Sequence, residues 1–98
     1  MKRLSEAIKE NGAAAVLQLV VLSVFNGEET WVNSRDGKRA ITGDEIKQLV
    51  KGFANAAKES AAAGFDGIDI HGTHGFFWNK MFSPIHNKRE DDGRRYLL

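Results

Sequence analysis

Apolar positions along the chain fall into two helix-spaced stripes and two runs that read as strands. From Lys2 to Asn11, Leu4, Ala7 and Ile8 recur at helical spacing, and Asn11-Gly12 supplies a stop. The next run, "AAAVLQLVVL", is almost unbroken. Continuous valine- and leucine-rich runs are typical of parallel strands covered on both faces. Residues 13–22 are therefore expected as a buried strand, with Gln18 its one polar residue. Further on, Ile46, Leu49, Val50, Phe53 and Ala57 trace one face of a helix over 43–63. Thr42 and Glu45 stand at capping-box spacing before it, and Gly64 stands where a left-handed cap would close it. "FDGIDI" then predicts a second strand at 66–70. Two such strands joined through a long helix predict a right-handed parallel crossover.

Between strand and helix the pattern breaks. Residues 25–41 carry turn signals at Asn26-Gly27 and Asp36-Gly37. "TWVN" and "RAIT" would make a small hairpin; an exposed loop is the simpler expectation. Residues 71–93 read as an active-site-type loop, and "RRYLL" as the start of another helix. The chain opens inside a helix, and its two strands leave both sheet edges open. Residues 1–98 are thus expected as a single incomplete segment of a larger α/β sheet or barrel.

Composition narrows the function classes. The chain has 98 residues and a net charge of +1, so the electrostatic argument for nucleic acid or an anionic membrane is missing. It has no cysteine, which excludes disulfides and thiolate metal sites. Glu6, Lys9 and Glu10 put mixed charge ahead of the apolar run, unlike a secretory signal. Gln18 and Ser23 interrupt that run, and it is too short to span a bilayer. A cytoplasmic location is expected.

The chemistry concentrates in "IDIHGTHGFF". His71 directly follows the second strand, where parallel α/β folds build their active sites. His74 comes three residues later, and Gly72 and Gly75 read as clearance for a flat ligand. Imidazoles can donate to a carbonyl or anionic oxygen, or move protons near neutral pH. The bland alternative is a satisfied polar strand end. A zinc site of His71, His74, His86 and Asp69 would lack the helical H-E-x-x-H context and thiolates, so no metal is expected. The glycines do not form the G-x-G-x-x-G of a dinucleotide loop.

The run from Ile41 to Asp91, "ITGDEIKQLVKGFANAAKESAAAGFDGIDIHGTHGFFWNKMFSPIHNKRED", resembles the central segment of the old yellow enzyme family, the FMN-dependent NAD(P)H oxidoreductases. That family carries A-G-F-D-G at the end of a helix. I-H-x-x-H-G-Y-L or I-H-x-x-N-G-Y-L follows, then S-P-x-x-N-x-R-x-D. "NGAAAVLQL" resembles the family's preceding strand. The resemblance implies the third and fourth strands of an eight-stranded barrel. The fold class is then α/β, a partial (β/α)8 barrel of about two βα units. It further implies FMN as cofactor, NAD(P)H as reductant and an activated alkene such as an enone as small-molecule substrate. His71 and His74 would bind the substrate oxygen, and Gln18 the pyrimidine edge of the flavin. A glutamine isolated in an apolar strand is expected to be a buried group with a polar partner.

The sequence departs from the family at three places. Phe76 stands at the usual position of the tyrosine proton donor, and phenylalanine has no proton to transfer. Q-L-x-H-x-G-R reads "QLVVLSV", and D-E-Y-G-G reads "EDDGRR". A complete barrel needs about 250 residues, so this chain alone is not expected to enclose FMN or to be active. The alternative expectation is a non-catalytic truncated remnant, self-associating through open strand edges.

Overall fold

The computed structural model describes residues 1–21, 24–25, 27–34 and 37–91. They form two compact units, one of Met1–Leu19 and Val50–Ile70, the other of Val20–Leu49 and His71–Leu98. In the first unit, helix α1 (Lys2–Lys9) precedes strand β1 (Val16–Leu19). Helix α2 (Gly43–Ala62) enters this unit at Val50, and strand β5 (Gly67–Ile70) follows it. β1 and β5 pair in parallel, from Val16↔Gly67 to Leu19↔Ile70.

The ladder is shorter than the expected strand over 13–22, and it is not covered on both faces. Leu17, Leu19 and Phe65 line one cavity with Ala56, Ser60 and Ala63 beside them, so α2 covers that face. Side chains alternate across a strand, and the other face carries Val16, which is 57% exposed. Among the described residues of this unit, α2 covers one face of the two-stranded sheet.

Asp66 starts the ladder in register. Its amide donates to the Ala15 carbonyl at 2.8 Å, and its Oδ2 accepts from the Ala15 amide at 2.9 Å. That reciprocal clamp lies one residue before the first paired rung, on an Ala15 that is fully buried. The Ala15 amide, followed by the Lys9 ammonium at 3.2 Å, holds the Asp66 carboxyl below its ordinary range.

α1 corrects the helical stripe expected there. Leu4 and Ile8 are exposed, and the buried residue is Ser5, at 1% exposure. The Ser5 hydroxyl lies within donating distance of the Lys2 carbonyl, at 2.8 Å, and of the Ala63 carbonyl. A hydroxyl can take up an orphan acceptor at the end of α2, which a leucine cannot. Gly64 ends that helix at φ +90°, and a Cβ there would lie 3.0 Å from Ser5 Oγ. Gly64→Ala should therefore lower stability by at least the ~1–2 kcal/mol of a left-handed non-glycine residue. The same thermal midpoint in glycine and alanine forms would refute this.

The second unit holds strands β2 (Val24–Phe25), β3 (Glu28–Trp31) and β4 (Arg39–Ala40). β2 and β3 pair antiparallel, Val24↔Glu29 and Phe25↔Glu28, with Gly27 at φ +79° in the tight turn. Within residues 25–41, Phe25, Glu28–Trp31 and Arg39–Ala40 are strand residues. "TWVN" and "RAIT" do contribute paired residues, but in parallel, Thr30↔Arg39 and Trp31↔Ala40, not as a hairpin. Asn26 and Asp36 of the two turn signals lie outside the described residues.

Arg89 explains how so short a parallel pair is closed. The next carbonyls along β3 and β4 belong to Val32 and Ile41, and Arg89 Nη1 donates to both, at 2.8 and 2.5 Å. Its Nε and Nη2 meet the two oxygens of Asp91 at 2.8 and 2.5 Å. Asn87 donates through Nδ2 to the Met81 carbonyl at 2.9 Å and accepts the Arg89 amide at 3.0 Å. Arg89 is only 9% exposed, so the guanidinium replaces a missing rung inside the unit.

Thr42 and Glu45 close their capping box, the Thr42 amide reaching Glu45 Oε2 at 2.9 Å and the Glu45 amide reaching Thr42 Oγ1 at 3.2 Å. Arg39 grips Glu45 with both terminal nitrogens, at 2.9 and 2.7 Å, and Glu28 with Nε at 2.8 Å. Arg39 first, then the Thr42 amide, hold the Glu45 carboxyl down to about 2.

The segment expected as a loop over 71–93 contains a short helix, α3 (Phe77–Phe82). Phe77 and Met81, four residues apart on one helical face, are both buried and hold it in place. The helix start expected at "RRYLL", and the end of the "EDDGRR" turn, lie outside the described residues. Among the described residues no helix is long and apolar enough to cross a membrane.

Candidate functional site

Gln18 is not buried. It lies on the exposed face of β1, and its polar partner is Asp69, directly opposite in the β1–β5 register. Gln18 Nε2 donates to Asp69 Oδ2 at 2.6 Å. In-register residues of neighbouring strands share a face, which is why this pair meets on the side away from α2. The remaining Gln18 groups are the carbonyl oxygen and a second N–H. One acceptor beside one donor matches the N–H and C=O of an imide edge, such as the pyrimidine edge of a flavin. That leaves Gln18 with groups of the kind an imide edge would need.

The imidazoles belong to the second unit. The Thr73 amide donates to His71 Nδ1 at 3.4 Å. A ring nitrogen that accepts carries no proton, so the neutral His71 ring holds its proton on Nε2. The His71 and His74 ring centroids are 5.5 Å apart with their planes at 61°. Phe76 packs edge-on against His71, centroids 4.7 Å apart and planes at 79°.

A tight turn sets this spacing. The Phe76 amide donates to the Thr73 carbonyl at 3.2 Å, and the two central residues, His74 and Gly75, have φ +55° and +74°. Positive φ at both central positions is the pattern of a type I′ turn. Asn79 Oδ1 accepts the Gly75 amide at 3.1 Å and ties the turn to α3. Gly75 is thus needed for its backbone. The clearance expected there is partly filled, because a Cβ would lie 3.5 Å from Lys80 Cε.

His86 does not join the other two histidines. Its Nδ1 lies 2.9 Å from Ser83 Oγ and its Nε2 3.0 Å from Lys80 Nζ, and its carbonyl accepts from Asn33 Nδ2. Among the described residues no three His, Cys, Asp or Glu side chains gather as metal ligands. Sequence reasoning did not find Asn79 or the bond from Gln18 to Asp69. The alternation in "DGIDI", paired against that in "VLQL", was the available signal for the second.

Residues 1–93 match the model of the NADH:flavin oxidoreductase / NADH oxidase family. The chain belongs to this family. The probable NADH-dependent flavin oxidoreductase YqiG of Bacillus subtilis is 32% identical over 103 residues, covering 93% of this chain and 28% of its own length. Enoate reductase 1 of Kluyveromyces lactis is 40% identical over 72 residues, covering 70% of this chain and 18% of its own. Among solved structures, histamine dehydrogenase from Rhizobium sp. 4-9 superposes with a TM-score of 0.75 at 34% identity, over 93% of this chain and 16% of that one. The chain thus spans well under a third of each of these relatives. Its fold class is α/β, about two βα units of a (β/α)8 barrel.

Proposed function

We infer that this chain is the substrate-oxygen-binding segment of a cytoplasmic, FMN-dependent NAD(P)H oxidoreductase that reduces activated alkenes such as enones. The observation that carries this reading is the imidazole pair, 5.5 Å apart and placed just after β5 in a chain of this family. Enoate reductase 1 supports the substrate class by its name. FMN, when bound, would supply hydride to the β-carbon of the alkene and would itself be reduced by NAD(P)H.

The chain's own residues account for the polar half of that chemistry. Negative charge develops on the carbonyl or nitro oxygen as the alkene is reduced. His71 Nε2–H and a His74 N–H would donate to it, stabilising the transition state more than the ground state. Phe76 contributes an apolar edge against His71 and no proton. The proton for the α-carbon then comes from water, and the protonation step is slowed.

Because the chain alone is not expected to enclose FMN, the direct test substitutes residues 1–98 for the matching segment of a full-length relative, loads that protein with FMN, desalts it, and follows NADH and NADPH oxidation with and without cyclohexenone. Retained flavin with enone-dependent oxidation supports the reading. Complete loss of flavin, or oxidation indifferent to the enone, overturns it. In that full-length protein, Phe76→Tyr should raise enone turnover about 10²-fold, the lower end of what a positioned general acid contributes. An unchanged rate would remove the proton-donor interpretation of position 76.

A further inference from the structure

Gln18 and Asp69 carry an inference that rests on the reading of Gln18 as a flavin contact and goes beyond it. A primary amide can present two orders of donor and acceptor, related by a half-turn about its last side-chain bond. Nothing in an isolated glutamine chooses between them. A carboxylate removes the choice: it has oxygens only, so the nitrogen of the amide must face it. Here Asp69 Oδ2 takes one N–H of Gln18 at 2.6 Å, and the two residues are held opposite one another by the parallel ladder. The ladder itself is started in register by the Asp66–Ala15 clamp.

We propose that Asp69 is a positioning residue for Gln18, turning the glutamine nitrogen toward itself and Oε1 toward the ligand. The strand pair then offers a fixed acceptor for a ring N–H, with the second Gln18 N–H for a neighbouring carbonyl. The ligand chemistry selected is the imide edge of a planar heterocycle, N–H flanked by C=O. A heterocycle whose corresponding nitrogen lacks a hydrogen loses that contact. Asp69 acts through Gln18 and not by touching the ligand.

The experiment has two arms, the first on the chain itself and the second in a full-length relative. The first needs no flavin: the Gln18 side-chain NH2 signals are compared by 15N–1H NMR in wild type, Asp69→Ala and Asp69→Asn. One proton shifted strongly downfield in wild type, lost in Asp69→Ala and partly kept in Asp69→Asn, supports the positioning role. Identical signals in wild type and Asp69→Ala overturn it. The second arm titrates FMN and its N3-methyl analogue by flavin fluorescence against the full-length relative that carries residues 1–98. Asp69→Ala should weaken FMN about 3- to 10-fold, the entropy of one freed side chain, and narrow the preference for FMN over the methylated analogue. Unchanged affinity and preference would overturn the proposal. Failure of that full-length protein to bind flavin with Gln18 and Asp69 intact would overturn the flavin reading of Gln18, while the NMR arm still decides whether Asp69 orients it.

Discussion

Arg89→Ala is expected to cost the second unit about 2–5 kcal/mol. The substitution leaves the Val32 and Ile41 carbonyls without the guanidinium that bridges them. Each buried acceptor left unsatisfied costs about 1–3 kcal/mol. Asp91 also loses its two-pronged partner, but its side chain is about half exposed and water replaces part of that bond. Arg89→Lys should recover little, since one ammonium cannot reach two carbonyls and a carboxylate in a plane. Both tryptophans, Trp31 and Trp78, lie in this unit, so urea denaturation followed by their fluorescence reports on it. A midpoint for Arg89→Ala within experimental scatter of wild type would show that the guanidinium is not what closes β3 against β4.

The second large effect is at the imidazoles. Replacing either His71 or His74 with alanine should lower enone turnover by about 10²–10³, the cost of one donor to a developing oxyanion. The double variant should fall well short of the product of the two, because the donors act on one oxygen. The check is steady-state turnover of cyclohexenone by the FMN-loaded full-length protein that carries residues 1–98, and by its variants. A loss below about threefold for His71→Ala, against the expected range, would mean that the substrate oxygen lies elsewhere.

What was legible in the sequence follows the range of each interaction. α2 was legible because its signals are local: Thr42 and Glu45 are three residues apart, and Gly64 stands just past its end. The parallel pairing of β1 with β5 followed from two apolar runs joined through that helix. The burial of Ser5 in place of Leu4 and Ile8 was hidden, because the Ala63 carbonyl is 58 residues away. Arg89 is 57 and 48 residues from its two acceptors, so "NKRED" read only as a family motif. The exposure of Gln18 was misjudged for the same reason: a two-stranded sheet with one covering helix leaves a face open, and strand composition does not reveal how many helices arrive. The roles of the two histidines came from resemblance. Local physics supplied their place after β5, and the structure adds the turn that spaces them.

That turn restricts which residues position 74 can accept. Few side chains other than glycine's tolerate a left-handed backbone, and asparagine, aspartate and histidine are the ones enriched there. Aspartate, when ionised, has no hydrogen to give. Under the proposed role, φ +55° together with a donor favours histidine and asparagine at this position. They are the two that alternate in the family pattern, I-H-x-x-H-G and I-H-x-x-N-G, so an exchange that looks like chemical drift is a choice already made by the main chain.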